Sequence, residues 1–142
     1  MNGTTVRLST RSHRRALLWL LGFLGVSAVL GGFALLIDMI NLPDNLLDGS
    51  PFSSYVVPSL MLVLVGMLAL GAFVAVRAER QVAAILSSLS GGAIVIFELV
   101  EIWVIGVSWL QFVYLAVGVA LLVLSVPLVL HSRDMPARAS HI

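Results

Sequence analysis

Glu98 and Glu101 lie three residues apart inside FELVEIWVIG, one of the most apolar stretches of the chain. An acid set in hydrocarbon without a basic partner must hold a proton, accept hydrogen bonds or bind something positive. Keeping a carboxylate ionised near mid-membrane costs about 2.5 to 3.5 kcal/mol on insertion scales. Protonating an ordinary glutamate at about pH 7 costs nearly the same, about 3.7 kcal/mol, so burial alone leaves both states within reach. Two carboxylates at i and i+3 repel when both are charged, which couples their titration. Gln111 and Tyr114 follow a short connection and fall at a similar depth, adding an amide and a phenol. Glu98, Glu101, Gln111 and Tyr114 are therefore the candidate ligand- or proton-binding residues. Two readings are open. In one, they form a small polar site open to the outer face that takes a cation, an amine or a proton. In the other, Glu98 is protonated and donates to a carbonyl or to Gln111, joining two helices, while Glu101 reaches interfacial water.

Other chemistries find no support in the sequence. The absence of cysteine excludes disulfides, a thiol redox relay and thiolate metal sites. No H-E-x-x-H, G-x-S-x-G or phosphate-cradling glycine loop occurs, so no enzyme, catalytic residue or cofactor is expected. His13, His131 and His141 lie away from the glutamates, and Asp38, Asp44, Asn45 and Asp48 lack the spacing of an EF-hand. No metal site is expected, and the loop acids read as solvated. A net charge of +1 with no basic face interleaved with aromatics argues against a nucleic-acid partner.

The elements that must position the acids follow from composition. The chain has 142 residues, 60% hydrophobic and 11% charged, with a mean hydropathy of +1.09, the profile of an integral membrane protein. Four apolar runs, at about 15–37, 51–76, 82–106 and 109–130, each reach the roughly 20 residues that a helix needs to cross the hydrocarbon. Helix is the expected form, because an isolated strand leaves its backbone groups unpaired in lipid. The fold class is thus all-α: a single four-transmembrane-helix bundle over 1–142, with a first outer loop at 38–50. The start of the first run resembles a signal peptide, but it is too long and no A-x-A cleavage site follows.

Arginine distribution sets the orientation. Arg7, Arg11, Arg14 and Arg15 precede the first span, Arg77 and Arg80 fill the second connection, and Arg133 and Arg138 follow the fourth. All the basic residues fall on one side, which places both termini in the cytoplasm. Asp38, Asp44, Asp48 and the two glutamates fall toward the opposite side. No arginine or lysine of the same chain is then available to pair with Glu98 or Glu101.

Finer features predict the packing. Asn41 and Pro43 open a short turn; Ser50 and Pro51 read as N-cap and first residue of the second helix, with Pro58 kinking it two turns in. Gly106 to Ser108 forms a tight turn, so the third and fourth spans pair as an antiparallel hairpin. Phe52, Tyr55, Trp103 and Trp109 mark the outer interface and Trp19 the inner one. Ala83, Ser87 and Gly91 recur every four residues, as do Ala84, Ser88 and Gly92, and such small residues let helices approach. Glu98 lies about 20° from Gly91 and Ser87 on the helical wheel, so it faces the bundle, with Glu101 about 60° further round. Gln111, Tyr114, Gly118 and Ser125 form a facing stripe; Gly25 with Gly32, Ser27 with Gly31 and Asp38, and Gly66 with Ala69 and Ala72 are further contact faces.

Two stretches, GSPFSSYVVP before the second span and IGVSWLQFVYLAVG joining the third to the fourth, resemble a group of small bacterial four-span membrane proteins of the actinobacterial type. That group carries S-P-F-x-x-Y-x-x-P and I-G-x-x-S-x-L-Q-x-x-Y in these places, the second with one residue more between Gly and Ser than this chain has. Its members often have Pro after the Gln, where this chain has Phe112. The resemblance implies a four-span architecture in a bacterial plasma membrane and no particular substrate. The small multidrug transporters are similar in size and in having a membrane-embedded glutamate, but theirs lies in the first span, which here has no carboxylate before Asp38. Expected partners are the lipid bilayer and either a second copy in a homodimer or a larger membrane protein. The expected roles are a structural or accessory subunit, or a small proton-coupled or cation/amine-binding transporter using Glu98.

Overall fold

A computed structural model describes residues 3–37 and 39–134, with side chains placed over 11–37, 39–43 and 45–130. Asp38, Arg138 and His141 lie outside the described residues, as do the side chains of Arg7, Asp44, His131 and Arg133. The chain forms four helices, α1 Gly3–Leu36, α2 Val56–Arg77, α3 Ala83–Ile105 and α4 Trp109–Asp134, with a short 3-10 turn at Asp44–Leu47. No strand occurs among the described residues. All four helices are long and apolar enough to cross a membrane, which fits a multi-pass membrane protein.

α1 begins well before its apolar run, because the polar segment up to Arg15 has no proline and only Gly3 to interrupt it. α2 begins later than Ser50 and Pro51 suggest. Residues 51–55 are bends and turns, and Val56 is the first helical residue. Ser50 organises that turn instead, its hydroxyl accepting from the Phe52 N–H at 3.2 Å. Pro58 consequently sits in the first turn of α2, where an N–H has no intrahelical acceptor, so the reason for a kink two turns in disappears. The Tyr55 hydroxyl donates to the Pro43 carbonyl at 3.0 Å and ties the first loop to the start of α2.

Glycines set the closest approaches. A Cβ on Gly66 would lie 2.8 Å from the Val29 nitrogen and 2.9 Å from the Gly25 carbonyl oxygen, so α1 and α2 touch backbone to backbone. α3 and α4 meet in the same way, since a Cβ on Gly91 would lie 2.9 Å from the Gly118 carbonyl oxygen. Lipid tails are as apolar as leucine, and association therefore relies on this close packing. The Ser27 and Gly31 face is looser, with the nearest atom 3.7 Å from a Cβ built on Gly31. Two tight hairpins result, joined mainly between α2 and α3 and to a lesser extent between α1 and α4. Leu17, Leu21, Leu24, Ala69, Ala72, Ile94 and Leu121 fill the space among them.

The α2–α3 connection is closed by an arginine from α1. Arg80 N–H donates to the Ala75 carbonyl at 2.9 Å and Glu79 N–H to the Val76 carbonyl at 3.3 Å, the Schellman pattern of a helix end. Glu79 occupies the left-handed position with φ 53°, at a cost of roughly 1–2 kcal/mol for a residue with a Cβ. Arg14 pairs with the Glu79 carboxylate at 2.7 Å and donates to the Arg77 carbonyl at 2.9 Å, which offsets part of that cost.

Candidate functional site

Glu98 is carried inward by the stripe that contains Ser87, Gly91 and Ile94, all of them buried with it on α3. It is 2% exposed, and its Oε2 has no hydrogen-bond partner. Glu101, one turn nearer the α3–α4 turn, is half-buried. The two carboxyl groups face each other within hydrogen-bonding reach, and the Gln111 side chain reaches Glu101 from α4. Proximity of the acids follows from the i to i+3 spacing, and that of Gln111 from the three-residue turn between α3 and α4.

The orientation of Gln111 has a definite cause. Gly106 adopts φ 92°, a left-handed conformation that ends α3 at Ile105. The chain then starts α4 at Trp109, and the Gln111 Oε1 accepts the Ser108 N–H at 2.7 Å. Ser108 and Gln111 thus stand as N-cap and third helical residue, the reciprocal half of a capping box. With its oxygen held at the helix start, the amide presents its NH2 group to Glu101. Gln111 therefore serves Ser108 and Glu101, and no hydrogen bond joins it to Glu98.

Tyr114 stands apart from this group. Its ring stacks on Phe23 of α1, with centroids 6.0 Å apart and planes at 24°, and no hydrogen bond links its hydroxyl to the acids among the described residues. It bridges α4 to α1. His13 does the same at the arginine end, its Nε2 lying 2.7 Å from the Leu124 carbonyl oxygen.

Glu101 also borders a cavity of about 330 Å³ between α2, α3 and the first loop, lined by Phe52, Pro58, Ala93 and Phe97 among other apolar side chains. Glu98 does not line it. The two acids therefore occupy different positions: Glu98 is sealed, and Glu101 stands between it and the open space. The α3 stripe and the short α3–α4 turn place the acids, the facing amide and the more open position of Glu101, whereas Ser108 and the cavity do not follow from them. Ser-x-x-Gln at 108–111 carried the first signal, and the recurrence of Ala93, Phe97 and Glu101 every four residues carried the second.

Every described arginine near a helix end lies at the opposite end of the bundle. Glu98 is 15 residues beyond the start of α3 at Ala83, about 22 Å along the axis. No three His, Asp or Glu side chains converge on one point among the described residues. What the arrangement offers chemically is a pair of neighbouring carboxyls, one enclosed and one accessible, steadied by a fixed amide. No protein-family model, curated protein or solved structure matches the chain.

Proposed function

We propose that this chain is a small polytopic protein of a bacterial plasma membrane, with both termini cytoplasmic, whose Glu98 and Glu101 hold a proton between them in the outer half of the bundle. Its bacterial setting rests on the resemblance of the two stretches flanking the second span and the α3–α4 turn, and its orientation on the one-sided arginines. The observation that carries the proton reading is the Glu98 Oε2, buried and without a donor. An ionised group there leaves a charge uncompensated at a cost of several kcal/mol, which one bound proton removes. Glu101 exchanges that proton with the cavity side, and the Gln111 NH2 steadies the oxygen that gives it up. A small proton-coupled carrier is the role this pair best fits.

Proton counting tests the proposal. In lipid nanodiscs, Glu98→Gln is expected to release one proton fewer than the unaltered protein over an acid-to-base titration. Equal counts would remove Glu98 from the proton site.

A second reading is an accessory or structural subunit. It is favoured by α4, the span least enclosed by its neighbours, whose Phe112, Ala116, Ala120 and Val123 line a shallow apolar strip. Purification from native membranes decides between them. A larger membrane protein in fixed ratio supports the subunit, and a lone homodimer supports the carrier.

A further inference from the structure

The cavity beside Glu101 has features that a packing defect would not need. Its volume of about 330 Å³ falls in the range of small-molecule sites. Among the described residues Glu101 is the one ionisable side chain in its lining; the others are aliphatic, aromatic, proline or methionine. Its rim residues Met61, Leu64, Ile96 and Val100 are exposed on the flank of the bundle. The space therefore opens sideways between α2 and α3, toward lipid in a membrane-embedded bundle. At the outer end, Leu47 and Phe52 of the first loop border it, and the Tyr55 bond to Pro43 holds that loop in place.

Charge complementarity narrows the occupant. A carboxyl pair that shares one proton carries a single negative charge, and the arginines stand at the other end of the bundle. A dication would need several further oxygen ligands, which the otherwise apolar lining does not offer, and no third His, Asp or Glu converges here among the described residues. An anion would meet a carboxylate in an apolar wall, which low dielectric makes strongly unfavourable. A neutral apolar molecule would leave Glu101 without its counter-charge.

We infer that the α2–α3 cavity binds a hydrophobic monocation that enters from the bilayer, an amine or quaternary ammonium whose head meets Glu101 and whose apolar body lies between Pro58 and Phe97. The inference rests on the carboxyl-pair reading above and adds the ligand class and its route. Binding places the cationic head against the accessible acid, while the sealed Glu98 keeps the proton and the complex is neutral overall.

Methyl-labelled alanine spectra in nanodiscs of zwitterionic lipid test it, because the Ala93 methyl lines the cavity. The probes are benzyltrimethylammonium and neopentylbenzene, which have the same shape and differ in charge. Benzyltrimethylammonium is expected to shift the Ala93 methyl saturably, at least tenfold more tightly than neopentylbenzene. Glu101→Gln is expected to abolish that preference, and Met61→Trp, a change at the exposed rim, to block both probes. Equal affinity for the two probes, or cation binding that survives Glu101→Gln or Met61→Trp, would overturn the cavity assignment. A normal proton count with no movement of Ala93 also overturns it and leaves the proton site standing. Loss of the Glu98-dependent proton alone would instead strike the underlying reading.

Discussion

Glu98 and Gln111 do different work, and substitutions separate it. Glu98→Leu removes a buried oxygen that has no partner, so thermal unfolding in detergent is expected to stay level or improve by up to about 2 kcal/mol while the proton is lost. A large loss of stability would mean that Glu98 acts as glue between the helices. Gln111→Ala loses the acceptor for the Ser108 N–H and is expected to cost about 1 kcal/mol. Gln111→Glu restores that acceptor but takes away the donor to Glu101. Its unfolding temperature is therefore expected to lie above that of Gln111→Ala, with the titration of the acids displaced. If the two variants unfold alike, the cap contributes nothing.

At the scale of the helices, the two adjacent glycines of α3 offer an internal control. Gly91→Ala drives a methyl against the Gly118 carbonyl oxygen at 2.9 Å, whereas a Cβ on Gly92 meets nothing within 4 Å. The first change is expected to destabilise by about 1 to 3 kcal/mol, and Gly92→Ala to be neutral or to stabilise by about 1 kcal/mol through helix propensity. Unfolding measurements in which both variants behave alike would contradict the α3–α4 crossing. Sequence alone could not rank these glycines, since both lie on small-residue stripes and only the partner helix selects one. The four spans and the turn at Gly106 were legible because length, hydropathy and a left-handed glycine speak locally. The start of α2 was not: Ser50 and Pro51 have the types of a helix start, but Ser50 closes a bend with Phe52 and the helix waits until Val56. Glu98 was placed by its stripe, while Tyr114, on the same face of α4 as Gln111, is drawn to Phe23 by a helix that the stripe does not mention.

Across the whole molecule, charge asymmetry and helix pairing define an arginine end and an acidic end. A cysteine at Gly49, exposed in the first loop, is expected to react with a membrane-impermeant maleimide added outside intact cells, and one at Ala78, exposed in the α2–α3 turn, only after lysis. The reverse pattern would invert the orientation and put the acids on the cytoplasmic side. On the proposed reading, that orientation decides which water the acids exchange with, and the burial of Glu98 favours the shared proton. Sharing of a proton by Glu98 and Glu101 is open to carbon-13 spectra of their carboxyls, recorded in nanodiscs across a pH series. Sharing of one proton predicts that both resonances move together in two steps, and that Glu98→Gln collapses the Glu101 response to one. A Glu98 resonance that stays fixed while Glu101 titrates alone would contradict it.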